Sequence, residues 1–307
     1  MAHMFISSGE MIADRRFDYG RDLELRGDLA GAADLFMQAI ELAPDFASAW
    51  FALGDVRERQ GDKSGAIDAF RRAKAANSVD FLGADLRLLR LTGGSLAAMS
   101  RHYVTTLYDQ YAPKFEQSLV GELGYRGPAL LFDAVVAACA ATSRPMTFDR
   151  AIDLGCGTGL AARAFENCAE EFIGIDLSAE MIKRAQAAGL YETLVTADAV
   201  EGLRDQPDAS AELVLAADMM IYIHDLAPLF AGAARVLKPG GLFAFTAETH
   251  DGDGVALGAS LRFAQSEAHL RHLLKDTGFS VTHIDNASIR SERKVPVPSL
   301  VIVASKS

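Results

Sequence analysis

A glycine-rich turn behind a short apolar stretch constrains the fold of this chain more than any other feature. Residues 153–159 read DLGCGTG, and two apolar residues stand directly before them. Gly155, Gly157 and Gly159 are spaced two apart, which suits a backbone that bends sharply and comes close to a ligand. A helix beginning after Gly159 would offer unpaired N–H groups to an anionic end of that ligand. The segment therefore predicts a strand, a nucleotide-binding turn and a helix.

A second short apolar segment ends in an acidic residue and fits the same ligand. Residues 172–178 read FIGIDLS, so Asp176 stands at the end of a predicted strand. In sheets that bind nucleosides, a carboxylate beyond the glycine turn accepts hydrogen bonds from ribose hydroxyls. We therefore expect Asp176 to bind a ribose, and we predict a ligand that contains adenosine.

The spacing of the glycines distinguishes between cofactors that contain adenosine. A nicotinamide-binding turn reads GxGxxG or GxGxxA, but position 160 is Leu160 and the pattern here is DxGxGxG. That pattern resembles the signature of class I methyltransferases dependent on S-adenosylmethionine (SAM). Further segments similar to the family's motifs follow in the family's order: GIDLSAEMI (174–182), ADA (197–199), LVLAAD (213–218) and VLKPGGL (236–242).

The resemblance implies a set of cofactor contacts, with S-adenosyl-L-methionine as the cofactor. The three glycines would approach its methionine part, and Asp153 would organise the turn or accept a hydrogen bond from the amino group. Asp198 would accept from the adenine amino group while the Ala199 amide meets a ring nitrogen; a solvated turn is the alternative. Leu177 and Met181 would contact the adenine, although Met181 equally suits the core.

The segment DMMIYIHD (218–225) follows the fourth predicted strand, where the resemblance puts the reacting methyl group. It is not an [N/D]PPY motif, which argues against methylation of a nucleobase or amide nitrogen of that type. Asp218, Tyr222 and His224 are candidate catalytic residues that would position the acceptor or take its proton. Asp218 is also expected to contact the cofactor. For His224, a helix cap is the alternative.

Residues before the glycine turn complete the predicted site. Tyr108 and Tyr111 lie three apart on a predicted helix and therefore share a face. In related enzymes a similar segment folds over the cofactor, so we expect these tyrosines in a lid, with hydrophobic packing as the alternative. Arg126 would neutralise the cofactor carboxylate or else lie on the surface. Residues 262–266 lie in the region that shapes acceptor specificity in the family.

The first third of the chain contains an internal repeat of about 34 residues, the period of tetratricopeptide (TPR) helix pairs. Shifting the sequence by that period superimposes six pairs of identical residues: Gly20 on Gly54, Gly27 on Gly61, Asp28 on Asp62, Ala32 on Ala66, Phe36 on Phe70, and Ala39 on Ala73. A further apolar helix over 80–91 is expected to close the stack. Such an array serves as a scaffold, as a surface for self-association, or as a groove for a peptide partner.

From residue 146 onward, short apolar runs alternate with helical segments. Strands are predicted near 150–154, 171–176, 193–197, 212–216 and 242–248, which favours an α/β doubly wound, mostly parallel sheet. By the class I methyltransferase resemblance, runs 280–284 and 298–304 form a terminal hairpin with the last strand antiparallel. The predicted domains are an all-α TPR-like domain (1–94), a helical linker and lid (95–145) and a Rossmann-like SAM-binding domain (146–307).

Composition limits the partners. The formal net charge of −11 and a pI near 5.1 oppose attraction to nucleic acid or to anionic membrane surfaces. The three cysteines have no zinc-like spacing, and no metal-ligand cluster is visible, so we expect a reducing compartment and no metal. The N-terminus lacks the pattern of a signal peptide, and no apolar run approaches the roughly 20 residues of a membrane span. A cytoplasmic protein is therefore expected.

The sequence as a whole resembles bacterial TPR-containing class I methyltransferases, since YDQYAP (108–113) stands between the repeats and the SAM motifs. The resulting expectation is a SAM-dependent methyltransferase acting on an unidentified small-molecule or protein acceptor. The rival is a non-catalytic SAM-binding protein that recruits a partner through the array. A nicotinamide oxidoreductase is a more distant alternative.

Overall fold

A computed structural model describes residues 5–93, 99–292 and 294–307. The chain divides into two compact units, Met1–Leu107 and Tyr108–Ser307. The division falls within the segment expected to form the linker and lid. The expected domain boundary between residues 94 and 95 lies outside the described residues.

The N-terminal unit consists of helix pairs. Its helices are α1 (Met11–Leu25), α2 (Leu29–Leu42), α3 (Ala47–Arg59), α4 (Lys63–Ala76) and α5 (Ala84–Thr92), and α6 (Arg101–Tyr111) begins in this unit and ends in the other. Helix α1 packs on α2, α3 on α4, and α2 on α3, so the pairs stack in sequence. A common apolar core is shared by the first three helices.

The residues that repeat in the sequence make equivalent contacts in the two pairs. A Cβ atom added at Gly20 would lie 2.6 Å from the ring of Phe36, and one added at Gly54 would lie 2.6 Å from the ring of Phe70. These glycines are therefore the sites where a phenylalanine of the next helix inserts. The repeat predicted from the sequence is present in the structure.

Helix α5 begins later than predicted. Asp80 has a left-handed backbone (φ 51°), and its carboxylate accepts hydrogen bonds from the N–H groups of Ala84 and Asp85. Gly83 directly precedes the helix and is also left-handed. Residues 80–83 therefore form a capping turn, which hydrophobicity alone did not distinguish from a first helical turn.

The C-terminal unit is built on a seven-stranded sheet in the order β3-β2-β1-β4-β5-β9-β8. Its strands are β1 (Phe148–Leu154), β2 (Ala169–Asp176), β3 (Thr193–Thr196), β4 (Ala211–Ala216), β5 (Leu237–Glu248), β8 (Phe279–Glu292) and β9 (Val295–Lys306). Strands β1 to β5 are parallel, and β9 runs antiparallel to both β5 and β8. The predicted α/β sheet with its antiparallel last strand is confirmed.

Helices cover both faces of this sheet. They are α7 (Gly127–Ala141), α8 (Leu160–Ala164), α9 (Ala179–Ala188), α10 (Ala199–Arg204), α11 (Ala227–Val236) and α12 (Glu267–Asp276). Neighbouring residues of β4 enter different cores, since Val214 belongs to one apolar cluster while Leu213 and Leu215 belong to the other. A sheet buried on both faces explains why its strands read as continuous apolar runs.

Two features of the sheet unit were not predicted. Strand β8 continues to Glu292, far beyond the predicted run 280–284, because polar residues in its second half interrupt the apolar pattern. A short hairpin of β6 (Val255–Leu257) and β7 (Phe263–Gln265) precedes α12. Both features supply side chains to the candidate site. Within the described segments, no helix has the length and apolar character needed to cross a membrane.

Candidate cofactor and acceptor site

The glycine turn and the predicted ribose-binding acid lie side by side. Strand β1 pairs with β2, and beyond it the N–H groups of Gly155 and Cys156 donate to the carbonyl of Ile175 at 2.8 and 3.1 Å. The N–H of Gly157 donates to Oδ2 of Asp176 at 2.9 Å. The three glycines of the turn have positive φ angles, so the backbone adopts the conformation for which the glycines were expected.

Asp176 is held in one orientation by backbone donors. Its Oδ1 accepts from the N–H of Ser178 at 2.8 Å, while Oδ2 accepts from Gly157. Burial raises the pKa of Asp176 to about 6, although the N–H groups of Ser178 and Gly157 oppose that shift. At neutral pH the side chain is therefore mainly a carboxylate, the form that accepts hydrogen bonds from hydroxyl groups.

Asp153 lies beneath the turn and is fastened by a tyrosine. Its Oδ2 accepts from the hydroxyl of Tyr191 at 2.7 Å, and burial raises the pKa of Asp153 to about 7. Among the described residues, Asp153 Oδ1 and the hydroxyl of Thr158 are buried without a hydrogen-bond partner. Unpartnered buried oxygens beside a turn of glycines fit a ligand that carries polar hydrogens.

The end of α6 and the residues after it lie over the glycine turn. The hydroxyls of Tyr108 and Tyr222 are 2.8 Å apart, and the ring of Phe115 packs edge-on against both Tyr108 and Tyr111. A Cβ atom added at Gly157 would lie 3.7 Å from the ring of Phe115. We call residues 108–115 the lid segment.

On the other side of β1, Asp218 follows the end of β4. Its backbone is left-handed (φ 56°), and its N–H donates to the hydroxyl of Thr246 at 2.8 Å. Its carboxylate forms an ion pair with the guanidinium of Arg290, which is fully buried and also binds Glu248. Burial raises the pKa of Asp218, although the charges of Arg290 and Arg262 oppose that shift, and the ion pair with Arg290 fixes the direction of the carboxylate.

Comparison with known protein families agrees with this geometry. Residues 152–245 match a family model described as a methyltransferase domain, and residues 18–80 match a tetratricopeptide repeat model. The chain thus contains a tetratricopeptide repeat region followed by a methyltransferase domain. The repeats and the methyltransferase domain predicted from the sequence are therefore confirmed.

Curated relatives cover part of the chain. The ubiquinone biosynthesis O-methyltransferase of Paracidovorax citrulli is 32% identical over 106 residues, which cover 33% of this chain and 44% of that protein. Human methyltransferase-like protein 27 is 31% identical over 150 residues, which cover 47% of this chain and 57% of that protein. The chain thus spans about half the length of the relatives it matches.

Solved structures show the same fold. The 1,6-didemethyltoxoflavin-N1-methyltransferase of Burkholderia thailandensis matches with a TM-score of 0.51 and 21% identity, over 70% of this chain and 93% of that chain. The [4+2]-cyclase SpnF matches with a TM-score of 0.55 and 18% identity, over 69% of this chain and 99% of that chain. At these identities the likeness concerns the fold of the methyltransferase domain alone.

The predicted adenine contacts lie around α9 and α10. Asp198 caps α10, accepting from the N–H groups of Val200 and Glu201 at 3.0 and 3.4 Å, and Ala199 is the first residue of that helix. Leu177 is half-buried after β2. Met181 is fully buried in α9, as a core residue would be.

His224 and Arg126 make other contacts within the C-terminal unit. The His224 ring is half-buried and packs against Phe263, with ring centroids 5.4 Å apart. Arg126 precedes α7 with its side chain exposed, while its backbone N–H donates to the carbonyl of Ile289 at 2.8 Å. Within the described residues, no group of three or more His, Cys, Asp or Glu side chains is arranged to hold a metal ion.

Sequence reasoning missed Tyr191 and Arg290 entirely. Tyr191 belongs to no motif and stands shortly before β3. Arg290 stands in the polar half of β8, 72 residues from Asp218, and no local pattern relates the two. Ser178 was part of the family motif, but its link to the lid segment required the tertiary structure.

Proposed function

We propose that the protein transfers a methyl group from SAM to a small-molecule or protein acceptor by in-line displacement. The observation that carries this proposal is the adjacency of the glycine turn and the Asp176 carboxylate at the carboxyl ends of β1 and β2. In parallel sheets of this type, ligands bind at that edge. When bound, SAM would supply a methyl group already activated by its sulfonium, so the chemistry requires no obligatory catalytic triad.

Each part of the cofactor has residues suited to hold it. Asp176 would accept from the ribose hydroxyls, and the left-handed glycines let the backbone approach the methionine part closely. Asp153, with one buried oxygen lacking a partner, would orient the turn or accept from the amino group. Asp198 and Ala199 would meet the adenine edge at the start of α10.

The lid segment supplies the conditions for the transfer. Tyr108 and Tyr222 meet above the turn, and burial raises the pKa of Tyr108 well above its usual value, so its phenol stays protonated and able to donate. Phe115 covers Gly157. These residues would exclude water and hold the acceptor in line with the methyl group, and such alignment can lower a barrier by roughly 7–11 kcal/mol.

Asp218, Tyr222 and His224 remain the candidates for acceptor contact. The ion pair with Arg290 gives Asp218 an orienting role, while the Tyr222 hydroxyl and the His224 ring are the groups that would take or guide an acceptor proton. Substituting Tyr222 with Phe removes the hydroxyl and keeps the ring, so it would separate proton handling from packing.

The test is the release of S-adenosylhomocysteine (SAH) from full-length protein incubated with SAM and a panel of acceptors. A further relative, the dimethylglycine N-methyltransferase of Parasynechococcus marenigrum, is 36% identical over 112 residues. Dimethylglycine and intermediates of ubiquinone biosynthesis are therefore the first acceptors to try. Acceptor-dependent SAH release that Asp176→Ala abolishes supports the proposal. Tight SAM binding without turnover on any acceptor would favour the non-catalytic rival, and bound NADH in place of SAM would overturn both.

A further inference from the structure

Two consecutive residues of α6 contact elements on opposite sides of β1. The hydroxyl of Tyr108 meets that of Tyr222, which follows β4, whereas Oδ1 of Asp109 accepts from the hydroxyl of Ser178, which follows β2, at 2.5 Å. Strand β1 lies between β2 and β4 in the sheet. The end of α6 therefore crosses over the glycine turn and is fastened on both sides of it.

The contact on the β2 side continues into the predicted ribose site. Ser178 donates its hydroxyl to Asp109 and its backbone N–H to Oδ1 of Asp176, at 2.8 Å. The other oxygen of Asp176 accepts from the N–H of Gly157 at 2.9 Å. A continuous chain of hydrogen bonds thus runs from the lid segment through Ser178 and Asp176 to the glycine turn.

Hydrogen-bond donors surround the side chain of Asp109. Ser178 caps α9, accepting from the N–H of Met181 at 3.1 Å, so Asp109 lies at the positive end of a ten-residue helix. The N–H of Glu180 also points to Oδ1 of Asp109, at 3.5 Å. These donors offset the repulsion between the Asp109 and Asp176 carboxylates, which share Ser178.

We propose that Asp109 is a positioning residue that couples closure of the lid segment to the orientation of the Asp176 carboxylate through Ser178. When the lid segment closes, Asp109 holds Ser178 so that its N–H stays on Asp176 and both oxygens of that acid face the ribose. This proposal rests on the assignment of Asp176 to the cofactor and does not depend on methyl transfer. It is therefore testable with SAH binding alone.

The first measurement is the rate of SAH dissociation from the full chain, by stopped flow, for wild type and Asp109→Ala. A lost charge-assisted hydrogen bond should raise the dissociation rate about tenfold and leave the association rate unchanged, because the lid segment closes after the ligand has entered. Asp109→Asn keeps the side-chain volume and one acceptor oxygen, so it should recover most of the loss. Glu116→Ala removes an exposed carboxylate just beyond the lid segment and is the matched control, expected to behave as wild type.

A double-mutant cycle separates positioning from ordinary destabilisation. If Asp109 acts through Ser178, the two substitutions should not add. The double variant Asp109→Ala, Ser178→Ala should then release SAH at most about twofold faster than the faster-releasing of the two single variants. Independent, multiplicative effects would overturn the proposal. Thermal unfolding without ligand confirms that each variant is folded. If Asp109→Ala is not, Ser178→Ala carries the test, because it removes the same hydrogen bond from the other side and should also raise the rate of SAH dissociation.

Hydrogen exchange gives a readout that does not involve activity. In wild type, SAH should slow amide exchange across 108–115, and in Asp109→Ala that protection should be lost while protection of the glycine turn remains. Equal protection and equal dissociation rates in wild type and Asp109→Ala would overturn the coupling. A wild-type protein that fails to bind SAH would instead overturn the proposed function itself, so the two failures are distinguishable.

Discussion

The two units of this protein join distant parts of the chain in different ways. In the repeat unit, ion pairs connect residues about one repeat apart, as in Asp55 with Arg87 and Glu58 with Arg90, each 32 residues apart. In the methyltransferase unit, Arg290 reaches Asp218 across 72 residues and Glu248 across 42. In the repeats, the sequence separation of two partners follows the repeat length. In the sheet, the partners come together because of the order of the strands.

The burial of these ion pairs differs as well. Arg290 is fully buried, while the side chains of Arg90 and Glu58 are each about a quarter exposed, at 25% and 24%. Solvent screens the ion pair in the repeats, but a charge left unpaired in the interior of the sheet unit is not solvated. Loss of one arginine should therefore lower the free energy of unfolding much more in the sheet unit than in the repeat unit.

Arg290→Met is expected to produce the largest effect, because it removes the buried guanidinium that pairs with both Asp218 and Glu248 and leaves only Arg262, 3.9 Å from Glu248, beside them. The free energy of unfolding should fall by about 3–5 kcal/mol, measured by urea denaturation. Arg90→Met in the repeats should cost at most about 1 kcal/mol. Equal losses in the two variants would remove the contrast between the units.

Asp176→Ala should rank second and act on ligand binding rather than on the fold. Removing an acceptor for two ribose hydroxyls should weaken SAH binding about 100-fold, with little change in thermal stability. Calorimetric titration measures the affinity, and Asp205→Ala, which removes an exposed carboxylate after α10, is the control. Unchanged affinity would show that Asp176 does not bind the cofactor.

Gly54→Ala tests the repeat unit at its point of closest approach. The new methyl group would press on the ring of Phe70 and should lower the free energy of unfolding by about 1–3 kcal/mol. Gly20→Ala should lower it by a similar amount, because the same contact is made with Phe36. Clearly different costs would mean that the two helix pairs are not energetically equivalent.

The smallest expected effect is a pH dependence of cofactor affinity. Burial raises the pKa of Asp176 to about 6, and ribose hydroxyls bind its ionised form, so SAH affinity should fall up to about tenfold per pH unit below 6. Asp109 and Asp153 are the acidic neighbours of this carboxylate. Since the folded-state pKa exceeds the unfolded one, ionisation of Asp176 lowers the free energy of unfolding as pH rises from about 4 to 6.

The repeat unit supplies the control for that titration. Burial also raises the pKa of Asp55 to about 6, opposed by the charge of Arg87, but this carboxylate lies among the repeat helices. Asp55→Asn should leave the pH profile of SAH affinity unchanged, while Asp176→Asn should flatten it. A profile altered by Asp55→Asn would show that titration in the repeats reaches the cofactor site.

Much of the molecule was predictable from local patterns. The shift of 34 residues located Gly20 opposite Gly54, and the structure gives both glycines the same phenylalanine contact. The glycine turn and Asp176 were predicted as neighbours because parallel strands end at one edge of a sheet. The start of α5 and the full length of β8 were not predicted, because a capping turn and polar strand residues do not follow hydrophobic periodicity.

The sequence by itself determined the repeat, the sheet and the glycine turn, because each of these depends on patterns within a short stretch of chain. Only the tertiary structure decided which side chains Asp109, Tyr191 and Arg290 contact. Their partners, in the same order, are Ser178, Asp153 and Asp218, and each comes from another element. A buried polar side chain must find a partner wherever the fold provides one. Its role is therefore set by strand order and packing, which no window of neighbouring residues contains.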